Sequence, residues 1–222
     1  MNSVDFTFGG FFSIGTLSYA WAKLYRKSFL DCNKIEFGDY RYAEDKIYNY
    51  FCYIAGARYA FIDKKIYVYR RNEQSVSNTY RKDGDKDWMR IAQDLQDKID
   101  SLNYEKKQYS QDEIENYESI VAWTIYFAAF FDGKMEYEYS TGKIRAVINL
   151  LKRYASYDLT KKYLKNPLRY TKKIPALSYK IMLGGFAFLM KCNMYVLLSL
   201  GIKLLVDCHI DERLSDTGRK ED

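Results

Sequence analysis

The spacing of apolar residues along this chain changes three times, and each change predicts a change of structure. As far as about residue 29 the apolar positions keep neither a helical nor an alternating period, so an irregular or extended lead is expected. Over residues 44–57, Ile47, Phe51 and Ile54 recur at helical spacing with Tyr50 adjoining, and Gly56 stands where a stop is favoured; these predict a helix. Residues 59–62 and 66–69 alternate sides and are rich in β-branched and aromatic types. The polar turn Asp63-Lys64-Lys65 parts them, which predicts two short strands. Beyond Asn78 the helical period returns over residues 87–102, 111–131 and 141–155, the last with Ile144, Val147, Ile148 and Leu151 on one stripe. Pro167 and Pro175 bracket an expected linker, and a last helical region covers residues 181–206. The expected class is α+β and mostly helical, a few short strands being followed by a helical C-terminal region.

Composition adds a folded body and a polarised charge. A hydrophobic content of 48 % beside 29 % charged residues belongs to a globular chain. Cys32, Cys52, Cys192 and Cys208 form no CxxC pair, and His209 is the single histidine, so zinc-ligand spacing is absent and reduced thiols are expected. Residues 1–12 have no basic region ahead of their apolar residues, so a secretory signal is not expected. The net charge of +6 is regional: residues 159–206 contain no Asp or Glu but carry Lys161, Lys162, Lys165, Arg169, Lys172, Lys173, Lys180, Lys191 and Lys203. Residues 83–118 are dense in acids, which predicts a solvated helical face. The chain accordingly divides into residues 1–82, a helical region 83–166, a basic apolar tail 167–208 and a disordered end 209–222.

The tail is expected to associate with a membrane without crossing it. A span needs about 20 apolar residues, whereas Lys191 and Asn193 fall mid-segment with Lys203 beyond. Two apolar segments lying in the interface, drawn to an anionic surface by Lys172, Lys173 and Lys180, are the expected arrangement. A buried helical hairpin with its lysines reaching solvent is the other reading. The first places the protein in the cytoplasm, peripheral on the inner face of the cell membrane. Basic residues interleaved with Leu, Ile, Phe and Met suit such a surface better than nucleic acid.

Candidate chemistry rests on Glu44-Asp45. A carboxylate in the first turn of a helix can serve as a general base in a cleft, and it is equally a common device for satisfying a helix N-terminus. Around the pair stand Trp21-Ala22-Lys23-Leu24-Tyr25-Arg26, then Ile35-Glu36-Phe37, and after the helix Phe61-Ile62-Asp63 and Tyr67-Val68-Tyr69-Arg70 with Asn72 and Ser75. In this order and at these intervals the segments resemble the acceptor half of a family-two glycosyltransferase of the GT-A type. The resemblance covers about the first third of the chain. It implies a partial GT-A-like α/β remnant and an inverting transfer of a hexose or amino sugar from a nucleotide sugar. The acceptor it implies is a saccharide or a lipid-linked one in surface polysaccharide synthesis.

By the same resemblance Asp45 is the general base and Glu44 its neighbour, while Trp21, Lys23, Arg70, Arg71 and Ser75 bind substrate. The family's nucleotide-binding half and its Asp-x-Asp would precede Trp21, so the divalent metal (Mg or Mn) has no expected site here, and a chain carrying the other half is an expected partner. Asp83-Gly84-Asp85-Lys86-Asp87 imitates a metal motif but follows the acidic pair and lacks a calcium loop's sixth-position glycine, Trp88 standing there; it predicts a solvated helix entry. With no G-x-S-x-G and no P-loop, hydrolase and nucleotide-triphosphatase chemistry is not expected. The alternative function is a non-catalytic membrane-associated interaction subunit or an inactive gene fragment that keeps the shape without the donor site.

Overall fold

A computed structural model describes residues 19–41, 43–60, 62, 64, 66–68, 80, 82–102, 109–174 and 177–208. Among them the chain is mostly helical, as expected, and no strand is assigned. Of the expected hairpin, residues 61, 63, 65 and 69 lie outside the described residues. Ile62, Ile66 and Val68 are exposed and unassigned, so the pairing expected of them is not observed. Residues 209–222, the expected disordered end, also lie outside the described residues.

The helices are α1 (Lys27–Cys32), α2 (Glu44–Ile54), α3 (Gly84–Asp100), α4 (Gln111–Tyr139), α5 (Lys143–Ser156), α6 (Asp158–Leu164), α7 (Pro167–Thr171), α8 (Leu177–Lys191) and α9 (Tyr195–Asp207). Local signals explain several ends. At α2, Gly56 takes a left-handed φ of 83°, and the Ala57 N–H donates to the Cys52 carbonyl, the six-to-one bond that closes a helix whose C′ residue is glycine. The same closure separates α8 from α9: Asn193 has φ 56° and the Met194 N–H donates to the Leu189 carbonyl. The expected region 181–206 is therefore two helices. Ser110 and Glu113 exchange side-chain-to-backbone hydrogen bonds in a capping box that starts α4.

Helix α4 is the axis of the body. It runs eight residues past the expected end at 131, through Gly133, because α9 packs there: a Cβ on Gly133 would meet Ile202 Cδ1 at 2.8 Å. Helices α3 and α5 flank α4, and α7, α8 and α9 complete its cover. The core includes Leu95, Ile120, Trp123, Tyr126, Leu151 and Met190. Buried polar atoms are paired across it: Trp123 Nε1–H donates to the Tyr170 carbonyl (3.0 Å), Tyr126 hydroxyl to the Tyr163 carbonyl (2.8 Å), and Tyr163 hydroxyl to Gln96 Oε1 (2.6 Å).

Two expectations need correction and a third is refined. Residues 167–171, expected as linker, form α7, with Pro167 at the first helical position where a missing N–H costs nothing. The entry of α3 is not wholly solvated, since Asp85 is buried between Arg153 (3.1 Å) and the Tyr157 hydroxyl (3.0 Å). Lys172 and Lys173, expected to draw the tail to an anionic surface, also pair with α4: Lys172 with Glu115 (2.9 Å) while staying largely exposed, and Lys173 with Asp112 and the Asn116 amide oxygen.

Candidate functional site

The site is built where α2 begins. Its helix has two buried faces. Ile47, Tyr50, Tyr53 and Ile54 enter the main core, Tyr53 meeting Tyr117 of α4 edge to face at 5.8 Å. Tyr48 and Cys52 join Ile35 in a small second cluster, with Tyr25, Phe29 and Leu30 packed against it. Helix α2 is thereby fixed between the body and the N-terminal segment, and its first turn looks onto residues 19–25.

Asp45 is half-buried and reaches out of its own helix: its Oδ2 accepts the Ala20 N–H at 3.4 Å. No side chain caps α2 at Ala43, so the expected acidic pair acts there through its charge near the helix N-terminus. Beneath it, Asn49 donates to the Asp45 carbonyl (2.6 Å) and accepts from the Tyr25 hydroxyl (3.0 Å), which ties the Trp21–Arg26 segment to the turn that carries the carboxylate. Glu44 is exposed.

Two ammonium groups flank Asp45 electrostatically. Burial pushes Lys23 down to about 8, against the pull of the Asp45 carboxylate. Burial likewise lowers Lys46 to about 8, again opposed by Asp45; its Nζ lies 5.2 Å from the Phe127 ring centre. Lys23 also donates to the Tyr19 carbonyl. Over this group lies an aromatic stack in which Trp21 is sandwiched between Tyr19 (4.9 Å between centres) and Tyr67 (4.7 Å). The segment with Trp21 and Lys23 is thus brought to Asp45, and Tyr67 joins it. Arg70, Arg71 and Ser75 lie outside the described residues.

Residues not foreseen are Tyr19, the Ala20 amide, Tyr25, Lys46 and Asn49. Asn49, one turn after Asp45 on the same helix, carried a readable signal; the Ala20 amide, a backbone donor, carried none. A separate cleft of about 260 Å³ opens between the approach to α2 and the first turns of α3. It is lined by Asp39, Tyr40, Arg41, Asp87, Arg90 and Ile91, and not by Asp45.

Two backbone conformations stand out at the site. Ala22 (φ 57°) and Ala43 (φ 58°) are left-handed without being glycine; the first lies within the Trp21–Arg26 segment and the second directly before Glu44-Asp45.

A divalent ion does not fit the metal-like segment. Asp85 is committed to Arg153 and Tyr157, while Asp83 turns to Lys86 at 3.6 Å, so the carboxylates do not converge. Among the described residues no three His, Cys, Asp or Glu side chains are grouped to hold a metal ion. The other carboxylate of note is Asp132, near the start of α3. Burial, with smaller pushes from Asp85 and Glu136, raises it to about 7 although the Tyr154 hydroxyl donates to it.

Comparison with family models, with curated proteins and with solved structures gives no match to this chain.

Proposed function

We propose that this chain supplies the acceptor side of an inverting nucleotide-sugar glycosyltransferase, working at the inner face of the cell membrane in surface polysaccharide synthesis. The observation that supports it is the convergence on Asp45: the Trp21–Arg26 segment, the Glu44-Asp45 turn and Tyr67 are distant in sequence and adjacent in space. These are the segments that carry the family resemblance.

In the reaction the Asp45 carboxylate takes the proton of the acceptor hydroxyl. That oxygen bonds to the anomeric carbon as the carbon–oxygen bond to the nucleotide diphosphate breaks and its electron pair leaves with the diphosphate. Lys23 and Lys46 hold positive charge beside the carboxylate, and the stacked rings of Tyr19, Trp21 and Tyr67 stand next to them. A divalent metal, which the family uses on the diphosphate, has no fitting group among the described residues, and no step runs through it.

The test is transfer from labelled nucleotide sugars to membrane acceptors, measured with the chain joined to a family-two nucleotide-binding half. Transfer is expected from the wild type, and Asp45→Asn is expected to lower kcat by about 10²–10⁴-fold with KM little changed. Undiminished transfer by the variant removes Asp45 as the base. A second reading, a non-catalytic interaction subunit, draws on the exposed apolar side chains of Leu24, Ile62, Ile66 and Val68. It predicts partner binding that Asp45→Asn leaves intact, and no transfer.

A further inference from the structure

The hairpin of α8 and α9 turns two different faces outward and inward. Leu183, Phe186, Ala187 and Met190 of α8 and Leu198 and Ile202 of α9 are buried in the main core. Both helices pack on α4, so their opposite faces look away from the body on one side. That outer side carries Leu177, Ile181 and Phe188 on α8 and Val196, Leu200 and Leu204 on α9, with Ile181 66 % and Leu204 59 % exposed. On α9 the spacing is one residue per turn, which makes a continuous stripe. Gly185 and Gly201 lie open on the same helices, with no atom within 4 Å of an added Cβ.

Length and charge say what covers this face. Helices of 15 and 13 residues reach about 22 and 20 Å, short of the roughly 30 Å hydrocarbon core, and among the described residues no helix is long and apolar enough to cross a membrane. Between residues 159 and 206 there is no carboxylate, and Asp207, the last residue of α9, is bonded by Lys203 and Tyr137. Lys180 and Lys191 stand on the hairpin itself, the Lys191 ammonium donating to the Lys165 carbonyl (2.7 Å), whereas Arg169, Lys172 and Lys173 are held by acids of α4. An apolar stripe beside cations, on a hairpin whose one carboxylate is paired, fits a surface that offers acyl chains and phosphates together.

We infer that the outer face of α8 and α9 seats the protein on an anionic lipid surface, both helices lying in its plane. The seat deepens the proposed function by fixing the side of the molecule that meets a lipid-linked acceptor, and it stands on the hairpin rather than on Asp45. A second copy is the less fitting occupant, because a two-fold pairing of this face would set like charges together.

Flotation with vesicles of three parts phosphatidylcholine to one part phosphatidylglycerol tests it, with pure phosphatidylcholine alongside. The wild-type chain is expected to float with the anionic vesicles and to be released by high salt. Lys180→Gln is expected to weaken binding about fivefold, and the pair Ile181→Gln and Leu200→Gln at least about tenfold. Gly185→Leu, which fills open space and favours the helix, is expected to bind about tenfold more tightly, so the outcome does not depend on whether the double variant folds. A wild-type chain that stays in solution with both vesicles overturns the inference. So does a soluble dimer that Ile181→Gln with Leu200→Gln turns into monomers. Loss of sugar transfer in Asp45→Asn without a change in flotation would separate the two proposals.

Discussion

The N-terminal segment and the helical body are held by different forces. In the body, α3, α4, α5 and the hairpin share one core in which Trp123 and Tyr163 pair their polar atoms. Around α1 and the start of α2, the second cluster has only Ile35, Tyr48 and Cys52 fully buried, and α1 buries no residue. What fixes that segment is directional: the Asp45–Ala20 bond, the Tyr25–Asn49–Asp45 chain, and the stacks of Trp21 and of Phe37 on Tyr48 at 4.1 Å. The body holds α2 in place, and the segment that carries the proposed site lies at its edge. A site built this way is positioned by few contacts, so single changes there alter geometry before they alter global stability.

The largest effect expected from this difference lies in the body. Trp123→Ala removes a buried indole and orphans the Tyr170 carbonyl, so a loss of about 3–5 kcal/mol in unfolding free energy is expected in denaturant titration. A loss below about 1 kcal/mol would mean that α4 and α7 are not packed as described.

Next in size is a pH effect seated at the start of α3. Asp132 is raised to about 7, so the folded chain holds its proton more tightly than the unfolded one. The stabilisation is therefore complete below the unfolded value near 4 and is lost as pH rises through about 7. Between about pH 5.5 and 8.5 the wild type is expected to lose about 2 kcal/mol that Asp132→Asn keeps. Parallel stability profiles of the two proteins would refute the assignment.

The elements that were legible in the sequence are those with local signals. Helix α2 was readable from Ile47 and Ile54 and from Gly56, and the interruption of the tail from Lys191 and Asn193. What was not legible depends on partners far along the chain. Helix α4 passes through Gly133 because Ile202 covers it, and Asp85 is buried because Arg153, 68 residues on, reaches it. At the site, Glu44-Asp45 stood out by residue chemistry, and Trp21 and Lys23 by the family resemblance alone. Their bond to the backbone of Ala20 did not, since an amide has no signature in the sequence, and the second buried face of α2 was hidden because Tyr48 and Cys52 break the single-stripe pattern.

The smallest expected effect probes the directional half of the comparison. Ala22 is exposed with φ 57°, a conformation that costs an L-residue about 1–2 kcal/mol, and its methyl group has no burial to lose. Glycine at 22 removes that cost while adding about 0.4–1 kcal/mol of unfolded-chain entropy, so a net gain of about 0.5–1 kcal/mol is expected. For a chain of this size the melting temperature should rise by about 2–4 °C at the upper end of that gain. Ala43→Gly is the control: its φ is nearly the same, but its methyl packs against the main core, and losing up to about 0.8 kcal/mol of burial brings the net change close to zero. If Ala22→Gly gained nothing while Ala43→Gly stabilised the chain, the left-handed turn between Trp21 and Lys23 would not be the conformation that brings them to Asp45.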